Sequence, residues 1–161
     1  MRRLIIISDS HGRTKSFEKI CASHPEAERF VFLGDGAGDY EYIHSSHPDW
    51  AMIGVQGNCD YMSVLPDLQE MVLDHWHILM VHGHKHAVKS TDHYLLKEAK
   101  ERGCNAVLFG HTHVQQCYKK DGILLLNPGA VMDYRGPQYA VLDLGGENVF
   151  IANLTVYKMK L

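Results

Sequence analysis

The chain has 161 residues, 45% of them hydrophobic, and a net charge of −3. This length supports one well-buried core and is short for two, so we expect a single domain over residues 1–161. The acidic balance gives no general attraction to nucleic acid or to anionic membranes, and no apolar run approaches the ~20 residues of a spanning helix. Histidine is abundant, with 12 residues against five phenylalanines, which favours a metal or acid–base site.

The chain starts M-R-R-L-I-I-I-S-D, a basic pair followed by an apolar run. This run is too short for a signal peptide and lacks a small-residue cleavage site, so we interpret it as a first strand. The cysteines are scattered and form no C-x-x-C pair; they are Cys21, Cys59, Cys104 and Cys117. Without an export signal we expect free thiols and a cytoplasmic protein.

In the first third of the chain, apolar runs alternate with helical patterns. The predicted elements are a strand over 4–8, a helix over 14–22, a strand over 30–33, a helix over 40–47 and a strand over 50–55. This order is typical of a mostly parallel sheet with right-handed crossovers.

Beyond Pro66 the pattern changes to hairpins and one further strand–helix–strand unit. The predicted elements are strands over 68–73 and 76–81, a helix over 90–102, a strand over 106–109, strands over 114–118 and 123–126, and strands over 139–144 and 149–157. Ser90, Thr91 or Asp92 can cap the helix, and Gly145-Gly146 suggests the last hairpin turn. Taken together, the predicted elements indicate an α/β fold with two packed mixed β-sheets flanked by helices.

Five of the predicted strands end in residues that bind metal ions well. These residues are Asp9 and His11, Asp35, Asn58, His82, and His111 and His113. Loops at the carboxyl ends of strands in open α/β sheets converge on one crevice, so we expect these side chains to meet. The D-x-H and H-x-H spacings, in an extended segment, would point two side chains to the same side.

The donor set combines carboxylates, an amide oxygen and imidazoles. Such mixed sites suit Mn, Fe, Co, Ni or Zn, whereas Mg and Ca prefer oxygen ligands alone. The donors are too many for one tetrahedral ion and fit two ions that share a carboxylate. A pair of divalent ions favours an anionic substrate and is the arrangement used for phosphoester hydrolysis.

The motifs S-D-S-H-G, G-D-G-A-G-D, G-N-C-D, V-H-G-H and G-H-T-H occur in this order. Together they resemble the calcineurin-like metallophosphoesterases, and G-N-C-D with N-P-G-A resembles the small YfcE-like phosphodiesterase subgroup. The resemblance covers residue 4 to about residue 144. It implies the β-sandwich fold of the metallo-dependent phosphatases. It also implies an enzyme that hydrolyses small soluble phosphate esters, in which a metal-bridging hydroxide attacks phosphorus. Mn²⁺ is the first expectation for the two ions, with Fe, Ni, Co or Zn as alternatives.

The resemblance also assigns the ligands. The first ion takes Asp9, His11, Asp35 and His113; the second takes Asp35, Asn58, His82 and His111, with Asp35 as the bridge. Taken singly, Asp35 is compatible with an ordinary turn, Asp9 with a helix cap and Asn58 with a left-handed turn position.

Cys59, His84 and Arg135 are candidates for roles beside the metals. The resemblance also implies a catalytic role for Asn58. Cys59 stands where the wider family has a histidine that assists the substrate, and a thiol is a weak donor, so we expect modest activity. His84 could orient a ligand or donate to the substrate. Arg135 could bind a substrate phosphate or form a surface ion pair.

Two other functions compete with a phosphoesterase that acts on small molecules. The same fold could serve as a protein-interaction scaffold with little or no catalysis, although this chain keeps the whole set of predicted ligands. A nuclease would need a basic groove, which the acidic balance disfavours, so no nucleic-acid or membrane partner is expected. Whether the chain forms a homo-oligomer is left open.

Overall fold

The computed structural model describes residues 2–144, 148–152 and 156–160. In chain order its elements are β1 (Arg2–Ile7), α1 (Thr14–Ala22), β2 (Arg29–Phe32), α2 (Ala37–Ser46), β3 (Met52–Gly54), β4 (Leu68–Leu73), β5 (Trp76–Val81), a 3₁₀ helix (His84–His86), α3 (His93–Arg102), β6 (Ala106–Leu108), β7 (Gln116–Lys120), β8 (Ile123–Asn127), β9 (Tyr139–Leu144), β10 (Asn148–Ala152) and β11 (Val156–Lys160).

Two mixed sheets contain all the strands. One has the order β11-β10-β9-β1-β2-β3, and the other has the order β4-β5-β6-β8-β7. Within the first, β1, β2 and β3 run parallel, and within the second β5, β6 and β8 run parallel. Antiparallel partners extend each sheet: β9, β10 and β11 in the first, and β4 and β7 in the second.

The alternation of side chains along β1 explains why the sheets are covered on both faces. Leu4 and Ile6 point between the sheets and share a buried cluster with Ile78 of β5. Ile5 points to the opposite face and packs with Phe17 of α1 in a cluster that also includes α2 residues. A third buried cluster joins α3 to the outer face of the other sheet. The order of layers is therefore helix, sheet, sheet, helix, and the predicted fold class is confirmed.

Two helices begin at residues that differ from the prediction. The helix expected from residue 40 begins at Ala37, since the carboxylate of Asp60 accepts the backbone N–H groups of Gly36 and Ala37 at 2.9 Å. The helix expected from residue 90 begins at His93. Asp92 precedes it, but its carboxylate accepts from Lys120 Nζ and the Tyr118 hydroxyl and does not cap the helix.

The C-terminal strands also differ from the prediction. The single strand expected over 149–157 is wrong, because β10 and β11 pair with each other in antiparallel fashion. An apolar run does not by itself distinguish one long strand from two short ones. The Gly145-Gly146 turn lies outside the described residues. No helix in the described ranges is long and apolar enough to cross a membrane.

Candidate metal centre

Backbone hydrogen bonds hold the motif loops against one another at the carboxyl ends of the parallel strands. The N–H groups of Asp9 and His11 donate to the carbonyl oxygens of Gly34 and Asp35, at 2.9 and 3.0 Å. The N–H of Gly110 donates to the carbonyl of His82 at 2.9 Å. The loops after β1 and β2 are thus joined within one sheet, and those after β5 and β6 within the other, so the site lies where the two sheet ends meet.

One group of donors consists of Asp9, His11 and His113, whose ligand atoms lie within 4.8 Å of one another. Asp9 is fully buried. Its Oδ1 is 3.1 Å from His113 Nε2 and 3.6 Å from His11 Nε2. Its Oδ2 accepts from the Ser8 hydroxyl at 2.6 Å and from the backbone N–H of His111 at 3.1 Å. One carboxylate oxygen is therefore used to order the loops, and the other faces the imidazoles.

A second group consists of Asp35, His82 and His111, again within 4.8 Å. The imidazole of His82 is buried, and its Nδ1 lies 2.7 Å from the carbonyl oxygen of Leu33. Because a carbonyl can only accept, Nδ1 carries the proton and Nε2 presents its lone pair to the site. The His82 and His111 rings are 5.0 Å apart between centroids.

Asp35 lies between the two groups. Its Oδ2 is 3.7 Å from His11 Nε2 and 3.3 Å from His82 Nε2. Its Oδ1 accepts the backbone N–H of Cys59 at 2.8 Å. Both histidines therefore converge on the same carboxylate oxygen from opposite donor groups.

Five of the predicted ligands have left-handed backbone conformations, which non-glycine residues adopt uncommonly. Their φ angles are 55° at Asp9, 42° at His11, 60° at Asp35, 69° at His111 and 61° at His113. Such strain is concentrated at functional sites because surrounding contacts must hold it in place. The expectation of extended D-x-H and H-x-H segments is wrong for this reason, and His111 and His113 face different donor groups.

The carboxylates and imidazoles shift each other's pKa. Burial alone would raise the pKa of Asp9, but hydrogen bonds from His11 and His113 lower it overall. Asp35 behaves in the same way, with His82 and the Cys59 N–H lowering its pKa against the effect of burial. Burial would lower the pKa of His82, and Asp35 and Asp9 raise it instead. The carboxylates are therefore ionised at neutral pH, as metal ligands must be.

The residues fit a bound cation. His82 Nε2 is buried, makes no well-directed hydrogen bond to protein and points at Asp35. A buried nitrogen that faces a carboxylate oxygen needs a proton or a metal cation between them, and a divalent cation would bind both atoms. Buried carboxylates surrounded by imidazoles form the mixed oxygen and nitrogen donor set that suits divalent transition metals.

Comparison with known proteins decides the family. The model of the calcineurin-like phosphoesterase superfamily domain matches residues 1–147. This chain belongs to the calcineurin-like phosphoesterase superfamily. A probable metallophosphoesterase of Bacillus subtilis, YsnB, is 33% identical over 144 residues, covering 88% of this chain and 83% of that protein.

Solved structures have the same fold. A conserved, predicted phosphoesterase of Streptococcus pneumoniae superimposes with a TM-score of 0.81 at 21% identity, over 99% of this chain and 98% of that one. YfcE, a phosphoesterase from E. coli, gives 0.73 at 20% identity, over 98% of each chain. Vps29 of Entamoeba histolytica, solved with Zn²⁺, gives 0.76 at 17% identity, over 99% and 98%. The predicted family and the prediction of a hydrolase acting on phosphoric esters are confirmed.

Asn58 and Cys59 occupy the third motif loop of this superfamily member, and both are exposed. The amide nitrogen of Asn58 is 3.5 Å from Cys59 Sγ. Since a 180° rotation exchanges the amide nitrogen and oxygen, either atom can be presented to the site. Burial and the negative charge of Asp35 raise the pKa of the Cys59 thiol, so it stays protonated at neutral pH.

His84 and Arg135 lie in different surroundings. The His84 ring centroid is 5.4 Å from that of His82, and its buried Nδ1 has no hydrogen-bond partner. Burial and the nearby His82 lower its pKa. Arg135 instead forms two 3.0 Å contacts with Asp133, from Nε and Nη2, and lies 5.5 Å from the Tyr134 ring centroid. Its guanidinium is engaged in an exposed ion pair, and a substrate role for it stays a prediction.

Asp60 is the residue whose importance the sequence did not reveal. Its Oδ2 accepts the N–H groups of Asp35 and Gly57, both at 2.7 Å, and its Oδ1 accepts those of Gly36 and Ala37. One carboxylate therefore joins the second and third motif loops to the start of α2. The acidic residue is visible in G-N-C-D, but no local pattern shows that three of its four partners lie more than twenty residues earlier.

Asp39 plays a similar part for the first motif loop. Its carboxylate accepts from the Ser10 hydroxyl at 2.6 Å, from the Gly12 N–H at 2.9 Å and from the Thr14 hydroxyl. Asp39 lies inside α2, in its first turn, and its carboxylate holds the loop before α1. The first motif loop is thus anchored to α2 by this residue.

Gly57 is required by the close approach of Asp35, and replacing it with alanine tests this. An added Cβ would lie 2.1 Å from Asp35 Oδ1 and 2.7 Å from Asp35 N. We expect Gly57→Ala to cost about 1–3 kcal/mol of stability and to weaken Mn²⁺ binding, because Asp35 must move. Urea unfolding and calorimetric titration measure the two effects.

The matched control is Gly103→Ala at the end of α3, where φ is +71° and an added Cβ would meet nothing within 4 Å. It should cost about 1–2 kcal/mol through backbone strain and leave Mn²⁺ affinity unchanged. Equal Mn²⁺ affinity in both variants would show that Gly57 does not position Asp35.

Proposed function

We propose that this superfamily member is a metal-dependent phosphodiesterase that hydrolyses small phosphate esters at a dinuclear centre. The observation that carries the proposal is the position of Asp35. Its Oδ2 faces His11 of one donor group and His82 of the other, at 3.7 and 3.3 Å. A carboxylate that lies between two sets of imidazoles is the donor that a pair of cations would share.

The chain offers a distinct set of donors for each cation. Asp9, His11 and His113 would hold one with Asp35, and His82, His111 and Asn58 would hold the other with the same carboxylate. When bound, two divalent cations supply an activated water nucleophile at neutral pH and neutralise charge on the phosphoryl oxygens. Mn²⁺ is the proposed metal, with Fe, Ni, Co or Zn as alternatives, because the mixed donor set accepts each of them.

The protein fixes the orientation of the side chains that would hold the cations. The Leu33 carbonyl sets the tautomer and direction of His82, and the Cys59 N–H holds one Asp35 oxygen in place. Such outer contacts raise ligand basicity and prevent the donors from rotating away.

The leaving group needs a proton, and two residues could provide or direct one. The Cys59 thiol stays protonated at neutral pH but is a weak donor. The lowered pKa of His84 keeps its imidazole neutral, so one ring nitrogen can still donate a hydrogen bond. Both features support modest activity, strongest on esters whose leaving group departs as a stable anion.

A protein-interaction scaffold on the same fold is the alternative function. The likeness to Vps29 concerns the fold alone, at 17% identity. The strained ligand backbone and the buried, unpaired His82 Nε2 support metal binding, since a scaffold would have no use for their energetic cost. We therefore favour catalysis on a small-molecule ester.

Hydrolysis of bis-p-nitrophenyl phosphate by the Mn²⁺-loaded protein tests the proposal. Activity should appear with Mn²⁺, disappear with chelator and return on adding metal. The panel should also contain p-nitrophenyl phosphate and the Co, Ni, Zn and Mg forms. If the loaded protein cleaves neither diesters nor monoesters, the proposed function is wrong.

Cys59→His should change which esters are cleaved. An imidazolium is a stronger proton donor than a thiol, and general acid catalysis contributes about 100-fold or more where a poor leaving group must be protonated. We expect the rate with a phenyl or alkyl ester to rise at least ~10-fold relative to that with a nitrophenyl ester. Cys59→Ser is the control, because it keeps the size but adds no acid. An unchanged ratio in Cys59→His would show that this position is not near the leaving group.

A further inference from the structure

Beside the metal centre, the protein has an open groove that the catalytic residues do not fill. Two adjoining cavities, of about 440 Å³ and 280 Å³, share Gly38, Cys59 and Asp60 in their walls. The first reaches His11 and Asp35, and the second continues to the loop that follows Asp60. We call these two adjoining cavities together the groove. Its size suits the organic part of a small ester.

The walls of the groove present apolar surface to solvent. Tyr42 of α2 lines the first cavity and is 60% exposed. Tyr61 and Met62 line the second, at 87% and 101% exposure. A flat apolar group that covers exposed rings next to a polar site binds favourably, because apolar surface is removed from water.

One residue that lines both cavities is Gly38, a glycine that the fold itself does not require. Gly38 is the second residue of α2, its φ is not positive, and an added Cβ would meet nothing within 4 Å. Glycine disfavours a helix relative to alanine, so neither backbone conformation nor packing accounts for it. Gly38 lines both cavities together with Cys59, and a side chain added there would enter open space.

The charges around the groove select against additional phosphates. Four acidic residues are part of its lining, namely Asp35, Asp39, Glu41 and Asp60. Among the described residues in its walls there is no lysine or arginine. A second phosphate or a nucleic-acid chain would therefore be repelled outside the metal centre.

We propose that the groove binds an uncharged aromatic group of the phosphate ester, with the ring over Gly38 and against Tyr42. The inference rests on the proposed function, since the phosphoryl group must be held at the metal centre. It makes the substrate a phosphate ester with one phosphorus and a flat, uncharged substituent. His11 and Asp35 themselves line the first cavity, which commits the occupant to the ester and not to a separate partner.

Equilibrium binding of phosphonates to the Mn²⁺-loaded protein tests the groove without catalysis. Phenylphosphonate should bind about 10-fold more tightly than methylphosphonate, because the ring covers exposed apolar surface. Gly38→Leu and Tyr42→Ala should each abolish this preference and leave methylphosphonate affinity unchanged. Gly38→Leu should keep or raise the melting temperature, since it removes a flexible glycine from the helix.

Tyr94→Ala is the matched control. Tyr94 is 51% exposed on α3 and lines a different cavity, of about 360 Å³, whose walls also include His82 and His84. Loss of the phenyl preference in Tyr94→Ala and not in Tyr42→Ala would overturn the proposal. Equal affinity for both phosphonates, or tighter binding of cationic 2-aminoethylphosphonate or anionic 3-phosphonopropionate, would overturn it as well.

The two proposals fail in different ways. If the loaded protein cleaves bis-p-nitrophenyl phosphate but binds both phosphonates equally, only the groove inference is wrong. If it prefers phenylphosphonate but cleaves no ester, only the proposed hydrolysis is wrong. If it binds no phosphonate and cleaves no ester, both are wrong.

Discussion

Asp35→Asn is expected to weaken the binding of both cations at once, by at least about 100-fold each. A neutral amide bridges two cations poorly, and removing even an outer contact to a metal ligand costs about 10–100-fold in affinity. The fold should survive, because asparagine tolerates the left-handed backbone that Asp35 adopts at φ 60°. Its side-chain oxygen can also still accept the Cys59 N–H. Metal content per chain and calorimetric titration with Mn²⁺ measure the effect.

His113→Gln is the control for this experiment. His113 belongs to one donor group only, so its loss should weaken one cation and leave the second bound. The metal-free forms of both variants should unfold close to the wild-type urea concentration. Should Asp35→Asn still bind two cations with normal affinity, the bridging assignment would be wrong even though the family is established.

Asp60→Asn should disturb the site from outside the ligand set. The amide keeps the shape of the carboxylate, but its NH₂ cannot accept, so two of the four backbone N–H groups lose their partner. Hydrogen bonds to charged groups contribute ~1.5–3 kcal/mol each, and for two lost bonds we expect a total loss of about 3–6 kcal/mol. Mn²⁺ affinity should fall about 10–100-fold, because Asp35 and Gly57 are no longer held together. Urea unfolding and metal titration give the two values.

Asp67→Asn is the matched control. Asp67 lies a few residues further along the chain, is exposed, and pairs with Lys85 Nζ at 2.6 Å and Gln56 Nε2 at 3.0 Å. Exposed pairs of this kind contribute up to about 1 kcal/mol, and Mn²⁺ affinity should not change. If the two variants behave alike, Asp60 does not position the metal loops.

The predicted elements show where sequence reasoning succeeds. The hairpin strands Leu68–Leu73 and Trp76–Val81 have the predicted bounds, because two strand-like runs separated by two turn residues are a local signal. The starts of α2 and α3 differ from the predicted ones, because residues distant in the sequence determine the contacts at their N-termini. The carboxylate of Asp60 accepts at the N-terminus of α2, and Lys120 draws the Asp92 carboxylate away from α3. Long-range contacts of this kind leave no pattern near the helix itself.

The sequence by itself determined the donor types, their order at the strand ends and the fold class. Each of these depends on local features: apolar runs, the residue that ends them, and the spacing between runs. Only the tertiary structure decided which donors face each other, as with Asp9 and His113, 104 residues apart. It also decided that five of the predicted ligands have left-handed backbone conformations and that Asp60 and Asp39 hold the loops. These features come from contacts between distant segments, and such contacts exist only once the two sheets have packed.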